Sequence, residues 1–558
     1  MPLWIDITLY DLAARAVLSG GMHYRDVFDT NPPGFVWCLC VVRLLFGPSM
    51  AALRAVDLVV VGTIAVLLVR WVKQAGGTAA TAAWTAAGIA GFYLFISEFN
   101  HCQRDVWMML PAIAATRMRL ARQIAPRVFR SAIVEGMLWG LGVWIKPHLI
   151  LIAAAAWTFT AVSLLARVEP RAALRRAGAD LAGSILGGLA IGAAGMTWLL
   201  ATGTWPHLYD VFTNWNTSYL SRVFEEFPDR VEVQFTYFPP WSLFFAAAVP
   251  LALLNVPETI PRIARRLPAV FQWFAPETDP ESRFARGLLA VLYLAWAAVA
   301  LLFQKQYHYV HVPETLLMIA VFAANRWCLA FPILVLQAGV LIWLALAHPS
   351  LPHWEDQPLA VRCVLWQYPH ESPDRFQWWS ACFERRVPGA VRNGLAFQTD
   401  MHSGTDWEEL EEVETFLRSQ GVKAGDASVL CWNDSPHTLY LMMDLKPPIR
   451  FMHLSTAVGM GPAAPGRVRA ELLAAPPQIR FVVSDLKRYA LFFPPEAKVQ
   501  MDEPGPDRLP PVLPEQSRAA FPLNQPALFR SAGGRGRYVV HRFIAVTGDI
   551  DVPGWSQP

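Results

Sequence analysis

Between residues 54 and 348 the chain carries about ten apolar runs, each close to the length that crosses a bilayer: 54–72, 79–96, 105–122, 131–146, 148–166, 180–202, 241–256, 285–304, 309–325 and 329–348. A helix crossing the hydrocarbon core needs ~20 apolar residues, with ~17 as the lower bound. Backbone in lipid finds no water to bond, so such runs fold as helices packed on one another. An all-α polytopic membrane domain is therefore the expected fold of residues 1–348. Composition agrees: 54% of the 558 residues are hydrophobic, 16% are charged and the mean hydropathy is +0.31. That balance excludes an ordinary soluble protein of this length. A net charge of +3 gives no support to a nucleic-acid partner. The segment 35–46 is apolar but too short to span, and reads as an interfacial or re-entrant helix.

The loops between the runs differ in charge. Arg117, Arg119, Arg122, Arg127 and Arg130 cluster around residue 122, and Arg167, Arg171, Arg175 and Arg176 follow residue 166. Arg70 and Lys73 mark a third basic loop, and Arg262, Arg265 and Arg266 a fourth. In the loop 203–240, by contrast, Asp210, Glu225, Glu226, Asp229 and Glu232 outnumber Arg222 and Arg230. By the positive-inside rule the basic set is cytoplasmic. The other set then faces outward: 1–53, 97–105, 146–148, 203–240, 304–311 and everything after 349. Ionisable residues at membrane borders are costly, so their grouping is informative. The sorting gathers Asp6, Arg104, Asp105, Lys146, His148, Lys305, His308 and His311 on one face.

Residues 349–558 carry no span. Short β-type runs at 428–432, 449–454, 480–484 and 537–543 alternate with helical patterns at 407–418 and 466–474. This alternation predicts a small extracytoplasmic α/β domain. The stretch 499–536 reads as a long Pro-rich loop, ending in a flexible turn at Gly533-Gly534-Arg535-Gly536. Cys363, Cys382 and Cys431 fall in this part and leave room for one disulfide.

The first outer loop carries a pattern: Asp6-x-x-x-Tyr10, Ala13-Ala14-Arg15, Gly20-Gly21, Tyr24-Arg25-Asp26 and Asn31-Pro32-Pro33-Gly34. It resembles the first outer loop of the GT-C membrane glycosyltransferases, nearest to the aminoarabinose-transferase and protein O-mannosyltransferase-like branch. The resemblance covers residues 1–348, with 1–53 as the catalytic loop. It implies transfer of a sugar from a polyprenyl-phosphate donor to an acceptor (lipid, glycan or protein) at the outer face of the cell membrane. It further implies that Asp6 is the catalytic carboxylate and Asp105 the second acid. Two departures matter. The aminoarabinose branch has a phosphate-binding Lys where this chain has Asn31. The chain also starts almost at Asp6, where family members enter the loop from a preceding span, so a late start codon is expected.

Each candidate has a plainer reading beside it. Asp6 either deprotonates the acceptor or caps a helix; the loop pattern favours the first. Asp11 is read as solvated, and Asp26 and Asp29 as turn-locking residues. Asp105 either caps its helix beside Arg104 or joins Asp6. Lys146 and Lys305 are the donor-phosphate candidates in place of Asn31, against plain snorkelling. Tyr10, Arg104, His148, His308 and His311 are the candidate substrate-binding residues. His308 and His311 lie three apart, the spacing a divalent cation would need; no other cofactor is expected. The chemistry implied is an inverting displacement in which the lipid phosphate leaves under cationic stabilisation and an apolar groove between spans holds the prenyl chain. The alternative function is a membrane transporter or lipid flippase. It would show internal repeats and ions at the midplane; the sequence has no repeat, and its ions lie at one border.

Overall fold

The computed structural model describes residues 4–121, 128–215, 238, 241–257, 279–304, 307–327, 330–347, 375–384, 386–396, 405–433, 435–452, 457, 464–474, 478–486, 519–532, 536–544 and 546. Lys305, Cys363, the acids at 225–232 and the arginines at 122, 127 and 262–266 lie outside that set.

The N-terminal part is helical: α1 (Ile5–Leu18), α2 (Gly34–Phe46), α3 (Met50–Gln74), α4 (Ala79–Phe95), α5 (Arg104–Trp107), α6 (Met109–Ala121), α7 (Val128–Ile145), α8 (Leu149–Arg167), α9 (Pro170–Ala201), α10 (Trp205–Asn214), α11 (Phe245–Asn255), α12 (Pro280–Phe303), α13 (Val312–Ala324) and α14 (Ala330–Ala347). A helix occupies each of the apolar runs, but four among the described residues, α3, α8, α9 and α12, are long and apolar enough to cross a membrane. The structure thus does not confirm the count of about ten spans: beside these four among the described residues, the other apolar helices are shorter or less fully described.

Proline accounts for part of the difference. The run 105–122 breaks between Trp107 and Met109. Pro111 lacks an N–H and crowds the carbonyl four residues back, that of Trp107. The run 180–202 differs in the other direction: α9 starts at Pro170, with Glu169 as N-cap accepting from Ala172 N. Arg171, Arg175 and Arg176, expected in a loop, are therefore on a helix.

Two expectations for α1 are corrected. Its N-cap is Trp4, so Asp6 is not a cap. Asp11 is fully buried rather than solvated, held by Arg43 Nε at 2.5 Å and Arg15 Nε at 3.1 Å. Arg43 also donates to the carbonyls of Gly47 and Ser49, so Asp11 ties α1 to the turn after α2. α2 is the short apolar helix expected, with Val41, Leu44, Leu45 and Phe46 exposed.

Two close helix approaches need glycine. Between α7 and α9, a Cβ at Gly187 would lie 1.9 Å from the Ile133 carbonyl oxygen. Between α2 and α7, a Cβ at Gly34 would lie 2.4 Å from the Trp144 carbonyl carbon. The last residue of the Asn-Pro-Pro-Gly sequence thus lets the first loop abut the end of α7, immediately before Lys146.

The C-terminal part contains α15 (Arg375–Phe383), α16 (Gly389–Leu395), α17 (Trp407–Ser419), α18 (Thr438–Met442) and α19 (Ala464–Leu473), with strands β1 (Val429–Cys431), β2 (Phe481–Asp485), β3 (Ala527–Arg530) and β4 (Tyr538–Arg542). The sheet order is β1-β2-β4-β3, with β1 and β2 parallel and the other pairs antiparallel. Three of the four expected β runs are strands. The fourth is not: at 449–452 the backbone is irregular, and the Arg450 carbonyl accepts from Phe28 N at 2.8 Å. β3 falls inside the stretch read as a loop. Cys382 and Cys431 are free thiols.

This part sits on the segments sorted as outward. Arg375 donates to the carbonyl of Ile96, and Trp379 Nε1 to that of Leu94 at 2.9 Å, which satisfies acceptors at the end of α4. Arg15 and Asp444 are 3.5 Å apart, and Arg450 and Asp210 3.8 Å. Residues near 15–28, 94–98 and 210–215 therefore share one face with the C-terminal part.

Candidate functional site

The loop 20–33 is built from its own polar side chains. Asp26 accepts from Met22 N at 2.7 Å, and Asp29 from Asn31 N at 3.0 Å and Asn31 Nδ2 at 2.7 Å, so both lock turns as their positions suggested. Tyr24, at φ +69°, donates its hydroxyl to the Asn31 carbonyl at 2.6 Å. Asn31 Nδ2 also reaches the Tyr10 hydroxyl at 3.1 Å. The position occupied by a phosphate-binding Lys in the resembled branch here orients a tyrosine.

Tyr10 faces a cluster of ionic groups. The Arg104 guanidinium lies 5.5 Å from its ring centroid. Burial raises the Tyr10 hydroxyl well above its ordinary pKa; the Arg104 charge opposes this, and Asp29, Asp6 and Asp105 add to it. Asp6 sits half-buried in the first turn of α1, and its charge also reaches Tyr309, whose hydroxyl is raised by burial first and Asp6 second.

Beside them, Lys146 Nζ meets Asp105 Oδ1 at 2.5 Å and donates to Gln304 Oε1. Arg104 Nε is 3.8 Å from Asp105 Oδ2. All four residues are buried. Burial lowers the Lys146 ammonium to about 8, against the opposing pull of Asp105. Burial, then the neighbouring Lys146 charge, lowers His148 to about 4, so it is neutral at pH 7. The cluster is not closed. Arg104 Nη1, Asp105 Oδ2, Gln304 Nε2 and His148 Nδ1 are buried with no hydrogen-bond partner among the described residues. Arg104 and Lys146, with unused N–H donors on Arg104 and Gln304, offer an anion its partners, against the opposing charges of Asp105 and Asp29.

Residues from α1, α5, the α7–α8 turn and the end of α12 thus meet, as the one-face sorting predicts. Lys305 is outside the described residues. His308 packs edge-on against Phe99 and Phe238, at 5.7 and 6.2 Å between centroids. His311 is bonded to Glu314 through Nδ1 at 2.5 Å. Among the described residues no group of three or more His, Cys, Asp or Glu side chains is arranged to hold a metal ion.

Two contributors were missed in the sequence. Gln304 was sorted to the outward face with the run 304–311 but not singled out as a site residue, although a Gln at that border is a signal. Asp57, inside an apolar run, is buried and accepts from Trp107 Nε1 and Tyr93 OH, each at 2.7 Å. It fixes the short helix that carries Arg104 and Asp105.

Next to this cluster lies an apolar groove of about 850 Å³ between α2, α6, α7 and α9. Trp37, Trp107, Trp144, Trp198, Ile145 and Ile191 are among its walls. Trp107 is two residues from Asp105 and Ile145 adjoins Lys146, so the same segments bear groove walls and cluster residues, although no cluster side chain is itself among the groove's walls.

No protein family and no curated protein match the chain. Solved structures of the oligosaccharyltransferase from Archaeoglobus fulgidus do. One is the archaeal oligosaccharyltransferase AglB in complex with an inhibitory peptide and a dolichol-phosphate, at 13% identity and TM-score 0.37, covering 86% of this chain and 65% of that one. The apo form matches at 12% identity and TM-score 0.38 with the same coverage. A complex with Zn and sulfate matches at 13% and 0.38, covering 86% and 64%. The chain therefore spans 64–65% of the length of those structures. The functional reading rests on the site's own geometry.

Proposed function

We propose that this protein is a membrane glycosyltransferase that moves a sugar from a polyprenyl-phosphate donor to an acceptor at the outer membrane face, with residues 349–558 forming an extracytoplasmic domain over the site. The observation that carries the reading is an open buried cluster bearing Arg104 and Lys146, on chain segments that also wall an apolar groove. A polyprenyl phosphate has those two parts in that order, a tail for the groove and an anionic head for Arg104, Lys146 and Gln304.

The chemistry follows from the charges. The acceptor's nucleophile attacks the anomeric carbon as the carbon–oxygen bond to phosphate breaks. The electron pair leaves with the phosphate, where Arg104 and Lys146 stabilise it. The acceptor's proton passes to a carboxylate, for which Asp6 is our assignment. Asp105 holds Lys146 in place, so it acts on the leaving group through that lysine. Tyr10 and His148, the latter neutral, contact the sugar or phosphate.

Mass spectrometry of lipid extracted with the purified protein tests this. A polyprenyl-phosphate sugar is expected, and its loss from the Lys146→Met variant. Recovery of bulk phospholipid alone, from both proteins, overturns the reading.

A further inference from the structure

The loop 20–33 contains no helix and no strand beyond one isolated bridge, His23 to Val27. Yet it carries Asn31, which orients Tyr10 at the ionic cluster. Its own side chains set its turns, and contacts from the far end of the chain hold it in place. Phe28 N donates to the Arg450 carbonyl at 2.8 Å. The Phe28 ring lies 4.9 Å from Trp215 and 5.0 Å from Phe451, and those two are 5.3 Å apart. Three segments distant in sequence thus meet in one aromatic triad.

Arg450 covers that triad. Its guanidinium lies 5.6 Å from Phe28, 5.8 Å from Trp215 and 4.9 Å from Phe451. It is paired with Glu471 at 2.6 Å and Asp210 at 3.8 Å, and its Nη1 is 3.5 Å from the Tyr24 carbonyl. Arginine suits the place: a planar cation stacks on rings while its edge serves two carboxylates. Tyr24 sits at positive φ, which a bulky side chain holds only where its surroundings over-determine it. Direct contacts then run from Tyr24 to Asn31, from Asn31 to Tyr10 and from Tyr10 to Arg104.

We propose that Arg450 is a positioning residue for the donor-phosphate site: it docks the C-terminal part onto the first loop, and the loop presents Tyr10 and Arg104 in binding geometry only while docked. This rests on the function proposed above. The C-terminal part is then a component of the active site, and anything that lifts it off the loop switches phosphate binding off.

The test uses the full chain in detergent, with undecaprenyl phosphate and undecaprenol as probes. Arg450→Met keeps much of the side-chain volume and removes the charge. Hydrogen exchange of amides 23–31 should rise by about tenfold or more, with α3 and α12 unchanged. Affinity for undecaprenyl phosphate should fall by about tenfold, the scale of one charge-assisted contact. Affinity for undecaprenol should not move, because the groove is untouched. Arg450→Lys should fall between. Unchanged exchange across 23–31 overturns the proposal, as does faster exchange with unchanged phosphate affinity. If Arg450→Met fails to fold, Phe28→Leu, which trims the triad and keeps the arginine, reads the same two quantities. If the wild type does not prefer undecaprenyl phosphate over undecaprenol, the parent reading falls, and exchange alone decides whether Arg450 holds the loop.

Discussion

The helical region carries two buried ionic clusters, and they are finished to different degrees. In one, Arg119 of α6 reaches Glu135 of α7 at 2.7 Å and Asp180 of α9 at 2.8 Å, with Nε donating to Glu135 at 2.9 Å. Every guanidinium nitrogen is used, and Trp139 Nε1 adds a bond to Glu135 at 3.0 Å. In the other, Arg104, Asp105, Lys146 and Gln304 leave donors and an acceptor unused. Buried polar groups without partners are expensive. The better-satisfied cluster therefore reads as architecture, and the more open one as a site whose missing partner is a ligand.

The largest effect is expected at the open cluster. Asp6→Asn should lower sugar transfer by ~100- to 10,000-fold, the usual scale of a general base, with little change in stability, because Asn keeps the shape of Asp and the N-cap of α1 is Trp4. A transfer assay beside a thermal melt checks both. Near-normal transfer would move the base to another carboxylate.

Arg119→Leu should do the opposite. It strands two buried carboxylates, a loss of about 3–5 kcal/mol by analogy with other broken buried pairs. Melting in detergent should show it, while the folded fraction binds undecaprenyl phosphate normally. Arg104→Leu should show the reverse pattern. If both arginines behave alike, the contrast between the clusters fails.

Lys146→Met should weaken undecaprenyl phosphate binding by roughly tenfold to a hundredfold, from the ~1.5–3 kcal/mol of a charged hydrogen bond. It should also destabilise, since Asp105 loses its partner. Adding Asp105→Leu should recover stability without recovering binding. Recovery of both would make the pair purely structural.

The smallest effect is one of pH. With Lys146 near 8, raising the pH from 7 to 9 should reduce phosphate binding by roughly tenfold as the ammonium deprotonates. Stability should move the other way. The unfolded chain keeps its lysine protonated to about 10.5, so between about 8 and 10.5 it binds more protons than the native state, and the Lys146 contribution to stability rises with pH. The Lys146→Met variant should lose both trends.

The sequence carried the broad plan and missed its punctuation. Loop charge grouped Asp105, Lys146 and the run 304–311 together, and the structure brings Asp105, Lys146 and Gln304 into contact. Helix bounds were harder. Pro111 breaks one apolar run, and Glu169 with Pro170 starts α9 ten residues before the run that marked it. Asp11 looked solvated because its partner Arg43 lies thirty-two residues away. Pairing of Asp105 with Lys146 across forty-one residues was likewise invisible, although both had been singled out. The strand expected at 449–454 failed for a related reason: its backbone bonds to the first loop, a partner no local pattern discloses.

The tight seam between α7 and α9 also bears on how this chain can change over time. At Gly187 even one methyl group would have to sit 1.9 Å from a backbone oxygen. Both helices supply walls of the apolar groove. Random drift can enlarge or recolour that groove from the α2 and α6 sides, one side chain at a time, but it cannot widen the gap between α7 and α9 by small steps. Changes in what the groove can hold should therefore be written into α2 and α6 in descendants of this sequence, with the seam carried along unchanged.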